Sequence, residues 1–140
     1  MTVWILKAGY HGEHILGVYT EAAKAAVEQV YLDEARRRRD RKVNTIRKQI
    51  EEIVATRNPI IYTAESMLTD EAVAKEAGHM SRLKEIRKER KTLLRHAEKL
   101  THDIHVLEQN VLDLTSLTQQ QLLDSFSADR YFEEYTVEDV

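Results

Sequence analysis

Residues 93–114 read LLRHAEKLTHDIHVLEQNVLDL, and within them Leu93, Ala97, Leu100, Ile104, Leu107, Val111 and Leu114 follow at spacings of 4-3-4-3-4-3. That repeat keeps one apolar stripe on one side of a helix for three heptads, which is the seam of a coiled coil. Upstream, Val43, Ile46, Ile50 and Ile53 repeat at 3-4-3, and no Pro or Gly interrupts residues 20–56. A long first helix is predicted there. Asn58-Pro59 reads as its end, because proline disfavours the α conformation in the residue before it. A connector near 57–68 follows, and a second helix is predicted from about Thr69, where Thr69-Asp70-Glu71-Ala72 offers an N-cap and an acidic first turn. Gly78 is expected to kink this helix or to split off a short preceding one.

At ~1.5 Å per residue, a first helix of about 37 residues spans roughly 55 Å and a second of about 55 residues roughly 80 Å. Two such helices joined by a short connector are expected to fold back as an antiparallel hairpin. The second outruns the first and leaves part of its seam without an intrachain partner. A homo-oligomer, most simply a dimer, is therefore predicted through Leu107, Val111, Leu114, Leu117 and Leu122.

The two ends of the chain have a different period. Thr2-Val3-Trp4-Ile5-Leu6 and Ile15-Leu16-Gly17-Val18-Tyr19 are β-branched and aromatic runs, joined by a stretch that contains Gly9 and Gly12. They predict a β-hairpin. Thr20 sits where the N-cap of the first helix belongs, ahead of Glu21 and the alanines at 22–26. Residues 131–137, YFEEYTV, read as a third strand that would return to the hairpin and steady it. The expected fold class is α+β, mostly α: a small antiparallel sheet, from the N-terminal hairpin and the C-terminal strand, carrying a long antiparallel helical hairpin or coiled coil. Residues 1–140 are read as a single domain, with 1–30 and 128–140 forming the sheet part and 31–127 the helical hairpin.

Composition narrows the classes. The 140 residues are 42% hydrophobic and 32% charged, with 4 Gly and 1 Pro, too few breakers for a loop-rich or all-β fold. Zero Cys excludes disulfides, thiolate metal sites and a cysteine nucleophile. No run of 18 apolar residues occurs and residues 1–8 lack the pattern of a signal peptide, so a cytoplasmic protein without membrane contact is expected.

The net charge of -3 hides a strong segregation. Residues 36–48 hold eight basic groups against one acid, residues 82–99 hold eight against three, and from Thr101 onward nine acids accompany one arginine. Folding the hairpin near residue 63 would set position 36 opposite about 90 and lay the two basic blocks side by side. Arg36, Arg39 and Arg90 also fall on seam positions, where a cation is costly unless it is paired, hydrated or bound to an anion. Arg36, Arg37, Arg39, Arg41, Arg87 and Arg90 are thus the candidate anion-binding residues, with Tyr10 and His11 a second site. Solvated helix faces supported by Glu34–Arg38 and similar i,i+4 pairs are the ordinary alternative.

Catalytic signatures are faint. Neither a phosphate loop, a dinucleotide fingerprint nor a nucleophile elbow occurs. His11 with His14, and His102 with His105 beside Asp103, are too few ligands to predict a metal. No enzyme activity, metal or cofactor is expected. Trp4, Tyr10, Tyr19, Tyr131, Phe132 and Tyr135 cluster in the sheet part, either as its small core or as a platform on which a base could stack.

Val3-Trp4-Ile5, the glycine-containing turn, Ile15-Leu16-Gly17-Val18-Tyr19-Thr20 and the closing Phe132-Glu133-Glu134-Tyr135 together resemble small phage-encoded accessory proteins. In these, a strand, a short turn and an ILGV(F/Y)(S/T) strand precede a helix and an acidic-aromatic strand ends the chain. The similarity covers about a quarter of the sequence, and the long helical hairpin departs from it as an insertion. It implies a counter-defence gene product acting in an infected bacterial host, and it transfers no catalytic residue. Three functions follow as expectations. One is sequestration of an anionic ligand such as a nucleotide immune signal. Another is inhibition of, or adaptation to, a host defence protein. The third is nucleic-acid binding through the basic stalk, against which the acidic C-terminal part weighs.

Overall fold

The computed structural model describes residues 1–9, 14–126 and 130–137. Six elements follow in the order β1 (Thr2–Ala8), β2 (His14–Tyr19), α1 (Glu21–Glu76), α2 (Met80–Thr115), α3 (Gln119–Phe126) and β3 (Arg130–Thr136). The α+β, mostly α class is as expected: a three-stranded antiparallel sheet and a long helical hairpin. The chain divides into two compact units, Met1–Val43 with Leu114–Val140, and Asn44–Asp113. That division falls inside the two long helices.

The first unit holds the sheet, in strand order β2-β1-β3. β1 lies in the middle, with Leu6 opposite Gly17 on one side and Phe132 on the other. Directly paired residues share a face, so Trp4, Leu6, Tyr19 and Phe132 lie together. Leu6 is buried, and Tyr19 meets Phe132 edge-on at 5.9 Å between ring centres. Gly17 is required beneath this pair, since a Cβ there would come within 2.8 Å of the Tyr19 ring. Glu21 accepts a hydrogen bond from the Trp4 indole, and the Lys24 ammonium lies 3.7 Å from the centre of the Trp4 ring. The start of α1 therefore covers this face. Thr20 caps α1 as read, accepting from the Ala23 amide through Oγ1 at 3.3 Å.

The expected connector near 57–68 is corrected. α1 runs through it without a break, with Pro59 inside the helix. The reason is visible in the register. The 3-4 spacing continues from Ile53 through Arg57, Ile60, Ala64, Met67, Glu71 and Ala74, and each of these is buried or half-buried. Asn58 and Pro59 are exposed. An interior proline costs about 3 kcal/mol and one hydrogen bond, less than ending the seam there would forfeit.

The reversal lies instead at Ala77-Gly78-His79. The His79 amide donates to the Ala74 carbonyl at 2.9 Å and the Gly78 amide to the Lys75 carbonyl at 3.2 Å. This is a Schellman cap, and it needs the left-handed backbone that Gly78 supplies with φ of 73°. Beyond it, Leu83, Ile86, Arg90 and Leu93 carry the downstream seam toward the turn. Leu83 and Ile86 close a core with Met67 and Ala74.

The second long helix also stops earlier than expected, at Thr115. A new helix, α3, restarts at a capping box: the Thr118 amide donates to Gln121 Oε1 at 2.9 Å and the Gln121 amide to Thr118 Oγ1 at 3.2 Å. α3 turns Leu122 onto Leu32 and Ala35, with Leu117, Leu123 and Phe126 packed around them. Two residues of the expected dimer interface are thereby taken up within the chain. Leu122 is 3% exposed and Leu117 is packed within the chain. Leu107, Val111 and Leu114 are half-buried at hairpin seam positions. With the turn at Gly78, α1 has 56 residues and α2 36, so the first helix rather than the second is the longer.

Candidate functional site

The seam of the second unit carries a partly exposed ionic layer. Glu71 occupies a core-facing position of α1, its side chain 16% exposed, and two arginines of α2 converge on it. Arg87 Nε donates to Glu71 Oε1 at 2.6 Å, and Arg90 Nη1 donates to Glu71 Oε2 at 2.8 Å. The Arg87 hydrogen bond is the main influence holding the Glu71 carboxyl below its ordinary value, assisted by Arg90 and opposed by desolvation. The carboxylate therefore stays charged and accepts from two guanidiniums.

Around this layer opens a cavity of about 520 Å³, lined by Glu71, Arg87, Arg90, Lys91, Leu94, Arg95 and Glu98. Arg87, Lys91 and Arg95 stand four residues apart, one above the next on a single face of α2. Lys91 and Arg95 have no ion-pair partner among the described residues. Four cations thus meet two carboxylates in one cavity, and two of the four cations are pre-set by Glu71.

The other candidate arginines belong to the first unit and have different neighbours. Arg38 donates to Glu34 at 2.6 Å and to the Phe126 carbonyl at 2.7 Å, tying α1 to the end of α3. Arg36 lies 3.7 Å from Asp33, and Arg39 Nε donates to Asp40 at 3.0 Å. Arg37, Arg38 and Arg41 with Glu34 line a cavity of about 350 Å³. In the second unit Arg87 and Arg90 meet Glu71, and in the first unit Arg38 meets the Phe126 carbonyl. Tyr10 and His11 lie outside the described residues.

Three site residues escaped the sequence reading: Glu71, Lys91 and Arg95. The i, i+4, i+8 spacing of Arg87, Lys91 and Arg95 was a usable signal, and carrying the 3-4 repeat past Pro59 would have put Glu71 on the seam. Among the described residues no group of three or more His, Asp or Glu could hold a metal ion, and no helix is long and apolar enough to cross a membrane. The base-stacking reading of the aromatics is weakened, since Lys24 covers Trp4 and Tyr19 packs on Phe132.

A pH signature follows from the ionic layer. The folded-state pKa of Glu71 is lowered from an ordinary 4.5. The stability it contributes is complete above that value and is lost as pH falls through the lower, folded value. Glu71→Gln is expected to be less stable than wild type near neutral pH, with the gap narrowing in acid below the ordinary value. Urea unfolding of both proteins at the two pH values checks this; a gap that is constant or widens in acid contradicts the Arg87–Glu71–Arg90 arrangement.

A scan against protein-family models matches none, and searches of curated proteins and of solved structures find no match to this chain.

Proposed function

We propose that this protein is a non-catalytic binder of a multiply charged anion, a phosphorylated nucleotide, taken up in the Glu71–Arg95 cavity. One observation carries the reading: four cations line a cavity of about 520 Å³ and only two of them are engaged by a carboxylate. That volume lies within the range of small-molecule sites. Guanidinium forks match phosphate oxygens in pairs, and holding two of them in place beforehand lowers the ordering cost of binding. Leu94 supplies an apolar wall for the rest of the ligand. The resemblance to phage accessory proteins motivates the finer reading, a nucleotide immune signal that is sequestered rather than turned over.

Calorimetry with nucleoside mono-, di- and triphosphates, cyclic dinucleotides and pyrophosphate tests the proposal on the full chain. Binding of at least one phosphorylated nucleotide is expected. A charge-assisted hydrogen bond is worth ~1.5–3 kcal/mol, so Lys91→Ala and Arg95→Ala are each expected to weaken binding by about tenfold or more while the helical signal stays unchanged. Absence of binding across the panel overturns the reading, as does binding that the double variant leaves intact. Affinity for duplex DNA that exceeds that for nucleotides and falls steeply with salt would favour the nucleic-acid alternative instead.

A further inference from the structure

The sheet has a second face. Directly paired residues share a side of the sheet, so the register that gathers Trp4, Leu6, Tyr19 and Phe132 on one face puts Val3, Ile5 and Lys7 of β1 on the other. Ile15 and Val18 of β2, with Glu133 and Tyr135 of β3, lie beside them. The contacts from Glu21 to Trp4 and from Lys24 to Trp4 and Phe132 are on the first face. On the second face Ile15 is 65%, Val18 61% and Tyr135 45% exposed. An antiparallel sheet commonly turns one polar face to water. Here the face opposite those contacts is apolar as well.

We infer that this face is a dimerisation surface, and that its occupant is the same face of a second copy of this chain. Charge points to the occupant. Among the described residues the face carries one cation, Lys7, and one anion, Glu133, and these form an ion pair with each other. A two-fold contact sets like on like, which a charged surface cannot tolerate but a neutral, internally paired one can. A strongly charged partner would find no free counter-charge on the face. Sheet-on-sheet packing with interdigitated apolar side chains is the ordinary way to cover such a surface.

Size sets the strength. Three strands of about seven residues make a face of roughly 23 Å by 14 Å. Two such faces bury well under the ~1,200 Å² at which stable interfaces begin. The dimer is therefore weak and reversible, with a dissociation constant in the micromolar range or above.

Sedimentation velocity of the full chain from low micromolar to submillimolar concentration tests the inference. The expected result is a monomer that converts to a dimer as concentration rises. Val18→Lys and Ile15→Lys are expected to abolish the dimer, and Val18→Thr, which keeps the β-branch, to weaken it with the fold intact. Leu112→Lys, at a site 56% exposed on α2, is expected to leave it unchanged. A monomer at all concentrations overturns the inference, and so does a dimer that survives both lysine variants. Neither outcome bears on the anion cavity, whose residues lie on other elements.

Discussion

Leu83→Ala is expected to lower the free energy of unfolding by about 3 kcal/mol, within the range found for leucine truncations in close-packed cores. Leu83 is 2% exposed in the first turn of α2, against Met67, Ala74 and Ile86. Two of its neighbours are already small or flexible, and the helix cannot slide to refill the space because the Gly78 cap fixes its start. Urea denaturation reads the loss as a lower midpoint with little change in slope. The control is Leu112→Ala, at an exposed position of the same helix, where a change within about 0.5 kcal/mol is expected. Equal effects at the two sites would mean that the seam does not run where the heptads place it.

The second large effect has the opposite sign. Pro59→Ala is expected to raise stability by about 2 kcal/mol. Alanine restores the amide that residue 59 would donate to the carbonyl of Ala55, and it removes the clash of the ring with that turn, together worth about 3 kcal/mol. The looser unfolded chain returns up to about 1 kcal/mol of this. Position 59 is exposed, so no packing is lost. Had Pro59 ended a helix, as the sequence suggests at first sight, the same substitution would be neutral or harmful. A single pair of melts therefore separates the two readings of residues 57–68.

The same proline marks where sequence legibility gave out. The apolar seam from Leu93 to Leu114 was readable because large aliphatic residues fill it at unbroken spacing. The strands were readable because Val, Ile and aromatic residues cluster at both ends of the chain. Between Ile53 and Ala74 the seam is instead occupied by Arg57, Ala64, Glu71 and Ala74 among larger residues, a diluted pattern beside the strong local signal of Asn58-Pro59. Burial along the seam outweighed local propensity. Misplacing the reversal then misplaced every pairing across the hairpin. Arg87 and Arg90 were identified as anion-binding candidates from charge alone, but their partner Glu71 and the neighbouring Lys91 and Arg95 depend on knowing which residues stand opposite. Arg57 shows the same dependence, donating to Thr101 at 3.3 Å across the seam.

The connectivity of the two units also dictates an order of assembly. The second unit is one uninterrupted stretch, Asn44–Asp113, whereas the first is put together from the two ends of the chain that flank it. Pairing β3 with β1 directly from an unfolded chain means closing a loop of more than a hundred residues, an entropic cost of roughly 4 kcal/mol. Zipping outward from Gly78 begins with neighbours only a few residues apart and shortens that loop one turn at a time. On a ribosome β1, made before β3, waits for this partner until the two long helices between them have been synthesised. Until then β1 can pair only with β2, a two-stranded ribbon that is marginal by itself. The central strand β1 is thus among the last parts to become stable.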